Sequence, residues 1–193
     1  MRIISGYLKG HRLLLPKTAL LRPTQDKVKE SLFNILLNNY IDLNKIKVLD
    51  LCCGSGALGL EAWSRGVNSV TFVDANTKYI QKNLEHLKLS HEQNLQVKRQ
   101  DCRRVFKQSQ WDYDWIFFDP PWQEKQLYEH GFKALSKVGF LKAGATFICE
   151  YQKGLLLPSL PDSMSIKCYN YGDTMLSLIV KSGGGNEESH LSG

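Results

Sequence analysis

Residues 48–62 read VLDLCCGSGALGLEA. An apolar run meets a glycine-rich turn, and a second apolar stretch follows at helical spacing. Ile46 to Leu51 has the length of a buried strand, and Gly56 to Arg65 reads as a helix ending near Gly66. Gly54, Gly56 and Gly59 satisfy GxGxxG. A tight strand-to-helix turn selects glycine by itself, so the spacing alone says little. Its place between a strand and a helix is what a nucleotide-type site requires. The next apolar run, Ser69 to Val73, ends on Asp74, where a carboxylate can accept both hydroxyls of a ribose. A dinucleotide enzyme would show much the same.

Asp50 separates the alternatives. It lies inside the strand end, four residues before Gly54. A pyrophosphate gains nothing from a carboxylate there, whereas a cationic ligand does. S-adenosylmethionine carries a sulfonium and an ammonium and no phosphate, so Asp50 suits it. Outward from this unit, strands and helices alternate. Asn76 to Leu89 reads as a helix with Asn76 as its cap, and Leu95 to Lys98 as a strand. Asp101 to Lys107 is a short helix, Trp115 to Phe118 a strand, Gln123 to Val138 a long helix and Ala145 to Cys149 a strand. Upstream, Val28, Leu32, Ile35 and Leu36 recur at helical spacing behind a candidate cap, Thr24. Ser165 to Tyr169 and Met175 to Val180 form a closing hairpin. Such alternation implies a parallel sheet covered on both faces, with ligands beyond the carboxyl ends of its strands.

A second stretch falls at such an end. Residues 114–122 read DWIFFDPPW. Two prolines after Asp119 fix φ and remove two backbone donors, leaving only acceptors: the Asp119 carboxylate and the Pro120 carbonyl. That pair suits a planar NH2 group on a ring, and Trp122 offers a stacking face. A strand-ending turn is the plainer alternative. Asp101 has two readings as well: the cap of its short helix, or an acceptor for the exocyclic amine of adenine. Cys52 and Cys53 read as small apolar fillers, and the five histidines are scattered.

The 193 residues are 42% hydrophobic and 23% charged, which fits one domain with a full core. No apolar run approaches the roughly 20 residues that span a bilayer. Five cysteines with no CxxC suggest neither a disulfide framework nor a zinc site, but reduced thiols in a cytoplasmic protein. The net charge is +6, and residues 1–30 alone carry a surplus of five positive charges. Arg2, Lys9, Arg12 and Arg22 are candidate phosphate contacts there. A second basic cluster is VKRQDCRRVFK, residues 97–107.

FFDPPW resembles the (D/N)PP(Y/F/W) motif of class I amino-methyltransferases, and DLCCGSGALGLEA resembles their cofactor loop. More narrowly, RIISGYLKGHRLLLP, LRPTQDKVKESLFNIL, LDLCCGSGALGLEAWSRG, DPPW and YGDTMLSL follow in order the pattern of the bacterial small-subunit ribosomal RNA guanine-N2 methyltransferases, the RsmD-like family. The resemblance runs from about Arg2 to Val180. It implies an α/β fold: a Rossmann-like, mostly parallel seven-stranded sheet with an antiparallel C-terminal hairpin and helices on both faces. From the residues themselves, RIISGYLKGHRLLLP reads as a two-stranded element turned at Gly6 and Gly10 and SGGGNEESHLSG as a disordered polar tail, so a basic β-hairpin extension over 1–22 is expected before a methyltransferase domain at 23–181 and a tail over 182–193. Methyl transfer from S-adenosylmethionine to a guanine 2-amino group of 16S rRNA is the implied activity, with rRNA or the small subunit as partner and no metal. Cofactor contacts would fall on Asp50, Gly54, Gly56, Asp74, Ala75, Asp101 and Cys102, and target-base contacts on Asp119, Pro120, Pro121 and Trp122. Two positions depart from the family's pattern: Cys52-Cys53 replace a Phe-Ala type pair, and Trp122 replaces Phe or Tyr. A cytoplasmic monomer without membrane association is expected.

Overall fold

A computed structural model describes residues 1–16, 25–38, 42–107, 111–137 and 140–181. Arg22, Thr24 and the tail over 182–193 lie outside the described residues. Seven strands form one sheet: β1 (Lys47–Leu51), β2 (Ser69–Asp74), β3 (Leu95–Arg99), β4 (Trp115–Phe118), β5 (Thr146–Gln152), β6 (Met164–Tyr171) and β7 (Thr174–Lys181). Their order is β3-β2-β1-β4-β5-β7-β6. β1 to β5 pair in parallel, whereas β7 runs antiparallel between β5 and β6. The helices are α1 (Gln25–Leu37), α2 (Ala57–Ser64), α3 (Lys78–His86), α4 (Cys102–Val105) and α5 (Lys125–Leu135).

Both faces of the sheet are covered, which is why the central strands are apolar without alternation. β4 shows it directly. Trp115 and Phe117 enter the core made with Leu32, Phe33, Leu60 and Ile80 of α1, α2 and α3. Ile116 and Phe118 enter the opposite core, with Val105 of α4 and Phe132 of α5. All four side chains are fully buried, each stabilising the fold by about 1.5–3 kcal/mol.

Several boundaries differ from the sequence expectation, and three of them have a visible cause. α3 starts at Lys78 with Thr77 at the cap position, while the Asn76 side chain accepts from the Lys78 N–H at 3.2 Å just outside the helix. α5 starts at Lys125, because Pro121 to Glu124 forms a turn closed by the Glu124 N–H on the Pro121 carbonyl at 2.9 Å. β5 continues to Gln152, since β7 pairs with it along its whole length.

The N-terminal hairpin is reduced to a single antiparallel bridge, Arg2 with Arg12. Its hold on the domain comes from elsewhere. Glu61, fully buried on α2, accepts the backbone N–H groups of Ile4 at 2.7 Å and Ser5 at 3.0 Å. The same carboxylate pairs with Lys29 at 3.2 Å and Arg65 at 2.8 Å. Ile3, Leu8 and Leu13 then join the core over α1, α2 and α3. The arm is therefore part of the domain's packing, with Arg2, Lys9 and Arg12 exposed on it. No helix among the described residues is long and apolar enough to cross a membrane.

Candidate active site

The turn after β1 is set by contacts that leave no room for side chains. Gly56 has φ +78, and a Cβ there would stand 2.3 Å from Ile80 Cδ1. A Cβ on Gly59 would stand 2.4 Å from Phe72 and 2.9 Å from Asp50 Oδ2. The second contact matters chemically, because the Gly59 N–H donates to that oxygen at 2.9 Å. Asp50 is only 2% exposed. Burial pushes its carboxyl up to about 7; the Gly59 bond opposes the rise, and the charges of Asp119 and Asp74 add to it. An anion held at such cost gains most from a nearby cation.

Asp74 ends β2 as expected. One carboxylate oxygen accepts from the Gly54 N–H at 2.8 Å and the other from the Asn76 N–H at 2.8 Å. Each oxygen keeps a lone pair for a hydroxyl. Asp101 caps α4 by accepting from the Arg103 N–H at 2.8 Å. The Arg103 guanidinium, at 2.9 Å, holds its carboxyl below the usual range. The cap reading is thus present in the structure, at the rim of the cavity described next. Cys52 and Cys102 meet with their sulfurs 3.1 Å apart. The Cys102 thiol and burial push the Cys52 thiol up, so Cys52 stays a protonated filler.

A cavity of about 460 Å³ lies beyond the carboxyl ends of β1, β2 and β4. Asp50, Gly54, Asp74, Ala75, Asp101, Cys102, Asp119, Pro120 and Pro121 all line it. Gly56 does not, and serves the turn beneath. Trp122 is half-buried and lines neither this cavity nor a smaller one beside it. The smaller space, about 50 Å³, shares Met1, Ala57, Leu58 and Asp119 with the first. Asp119 therefore stands at the junction of the two.

One residue that supports the proline loop was missed from the sequence. The buried Tyr128 hydroxyl on α5 lies 3.0 Å from the Pro120 carbonyl and 3.2 Å from the Glu150 carbonyl on β5. Burial holds this phenol far above its ordinary value, so it is always a donor. It ties the proline loop to the neighbouring strand and fixes where the loop's acceptors point. At residue 128 the sequence shows only an aromatic at helical spacing, which reads as core. Among the described residues, no group of three His, Cys, Asp or Glu side chains is placed to hold a metal ion.

The sheet order, the glycine turn and the acidic proline loop at one cavity define a class I methyltransferase. The model of a family described as conserved hypothetical protein 95 matches residues 1–180, and the chain belongs to that family. Ribosomal RNA small subunit methyltransferase D of Haemophilus influenzae is 38% identical over 158 residues, covering 79% of each chain. The protein of the same name from Escherichia coli is 32% identical over 166 residues, 86% of this chain and 82% of that one. The solved structure of yhhF from Escherichia coli has a TM-score of 0.78 at 31% identity, and covers 94% of this chain and 98% of that one.

Proposed function

We propose that the chain methylates the 2-amino group of a guanine in 16S ribosomal RNA, as a cytoplasmic monomer using S-adenosylmethionine. The relatives named above are small-subunit rRNA methyltransferases. The observation that carries the reading is that Asp119, with Pro120 and Pro121, lines the same cavity as Asp50 and Asp74. An amine acceptor and a nucleoside-binding wall share one space.

The residues present fit the cofactor. Asp50 is a buried carboxylate whose charge a cationic group would relieve. Asp74 has lone pairs left for ribose hydroxyls, and Ala75, Asp101 and Cys102 line the same wall. Bound there, S-adenosylmethionine supplies an electrophilic methyl group to the amine nitrogen. The chain supplies the rest. An exocyclic guanine amine is a poor nucleophile, because its lone pair is delocalised into the ring. Asp119 and the Pro120 carbonyl accept its two hydrogens, which favours a pyramidal nitrogen. The Pro120 oxygen keeps one lone pair for this after taking the Tyr128 hydroxyl. Asp119 then stabilises the positive charge that develops on nitrogen. Loss of one proton from that nitrogen completes the exchange of N–H for N–CH3. A guanine paired in a helix hides its amine, so the target is unpaired or flipped out. Stacking by Trp122 rests on the resemblance, since its ring lines neither cavity.

Nucleoside mass spectrometry of 16S rRNA tests the reading. Cells lacking the gene should lose one N2-methylguanosine, restored by the gene in trans. Loss of a methyladenosine instead would make the chain an amino-methyltransferase of another specificity. An unchanged profile would sink the rRNA assignment.

A further inference from the structure

Asp119 is not the only carboxylate lining the small cavity. β4 and β5 pair in parallel with Phe118 opposite Cys149. The next positions are Asp119, just past the end of β4, and Glu150, inside β5, so the two stand at neighbouring register positions. Residues of β5 alternate between faces: Phe147, Cys149 and Tyr151 join the core with α4 and α5. Ile148 and Glu150 take the other face and line the small cavity with Asp119 and Leu176. The rest of that cavity is mostly apolar, from Met1, Val28, Leu32, Ala57 and Leu58, with Lys29 as its cation. Tyr128 fixes the spacing of the two acidic positions, because its one hydroxyl reaches the backbone carbonyls at Pro120 and Glu150.

Two adjacent carboxylates in an apolar recess distinguish among bases. Beside its exocyclic amine, guanine carries N1–H, a donor. Adenine carries N1 and cytosine N3 beside theirs, and both are acceptors. A carboxylate next to the amine's acceptor therefore attracts guanine and repels the other two. We propose that Glu150 is the specificity-determining residue for guanine, accepting its N1–H while Asp119 takes the 2-amino group. The inference rests on the substrate reading above and deepens it. A recess of about 50 Å³ is too small for a whole purine and suits its hydrogen-bonding edge. Lys29 lines the same recess, with its charge paired to the buried Glu61. Its ammonium is held by Glu61 at 3.2 Å and the Arg2 carbonyl at 2.6 Å.

The test uses 16S rRNA from cells lacking the gene, and the same RNA ligated to carry 2,6-diaminopurine at the mapped guanine. That base keeps the 2-amino group but presents an acceptor at N1. The wild-type chain should methylate guanine with a kcat/KM at least about a hundredfold above diaminopurine, since a site built to accept a proton rejects an analogue lacking it. Glu150→Gln offers an amide N–H to that acceptor, so the preference should narrow by about tenfold or more. Calorimetric cofactor affinity close to wild type shows that the variant is folded. Equal use of both bases by the wild type overturns the inference without any variant. An unchanged preference in folded Glu150→Gln overturns it too. A wild-type chain that methylates no rRNA guanine overturns the substrate reading itself, which is a separate result.

Discussion

The loops after β1 and β4 leave neighbouring parallel strands at the same end of the sheet, yet one is built from glycine and the other from proline. The glycine loop is rich in backbone donors. Its N–H groups at Gly54 and Gly59 hold the carboxylates of Asp74 and Asp50. The proline loop has no N–H at Pro120 or Pro121 and is fastened through a carbonyl, by Tyr128. Donors orient the acidic groups proposed to grip a nucleoside with a cationic tail. A loop of acceptors alone suits an incoming amine. The two loops should therefore fail in different ways when damaged.

The largest expected effect is at Asp119. Asp119→Ala removes the acceptor needed chiefly in the transition state, so methyl transfer should fall by about a hundredfold or more, equivalent to roughly 2.7 kcal/mol. Cofactor affinity should stay near wild type. Single-turnover transfer of labelled methyl, beside calorimetry, reads both. Wild-type transfer by Asp119→Ala would mean that DPPW is only a turn.

Asp74→Ala should show the reverse. It removes the acceptor for ribose and releases the Gly54 and Asn76 N–H groups together. Affinity for S-adenosylmethionine and its demethylated product should weaken by about 1–3 kcal/mol, the cost of a broken buried pairing. With saturating cofactor, transfer should recover much of its rate. Unchanged affinity would take Asp74 out of the site.

Most of this contrast was legible in the sequence, because strand ends, glycine turns and proline loops are local. VLDL, SVTFVD and WIFF are short apolar runs stopped by punctuation, and each became a strand. What escaped depends on which way a side chain faces in three dimensions. Glu61 sits among apolar residues in LGLEA, and nothing local says that it anchors the arm through Ile4 and Ser5, more than fifty residues away. Tyr128 reads as core until its hydroxyl is seen against Pro120. Trp122 follows the prolines directly, but the turn to Glu124 sets its ring outside the residues that line the cavities.

A milder way to sharpen the contrast is pH. Below about pH 7 the buried Asp50 carboxyl holds a proton. A bound cation favours the ionised form, so binding expels that proton, and expulsion costs more as pH falls. Affinity for S-adenosylmethionine should therefore rise with pH up to about 7 and level off above, by at most about tenfold per unit, or 1.4 kcal/mol. Asp50→Asn should flatten the profile. A wild-type affinity flat from about pH 5.5 to 8 would show that cofactor binding expels no proton from Asp50.

The smallest effect belongs to the arm, whose Met1, Leu15 and Pro16 line the large cavity together with both loops. Lys9 and Arg12 are exposed, and the described residues offer neither an ion pair, whereas Arg2 spends part of its charge on Asp26 at 3.5 Å. Lys9 and Arg12 are thus the arm's better phosphate contacts. Each counterion released along a single strand contributes about 0.7 to the log–log salt slope, so neutralising both should flatten it by roughly one to two units. RNA binding should weaken modestly at physiological salt, and cofactor affinity should not move. Because Glu61 anchors the backbone of the arm and not these side chains, the double variant should keep the wild-type fold. Filter binding across a salt series decides it. A slope unchanged in the double variant would leave the arm as packing for α2 and place the RNA's phosphates elsewhere, with the exposed Lys98, Arg99, Arg104 and Lys107 of the second basic cluster as the next residues to neutralise.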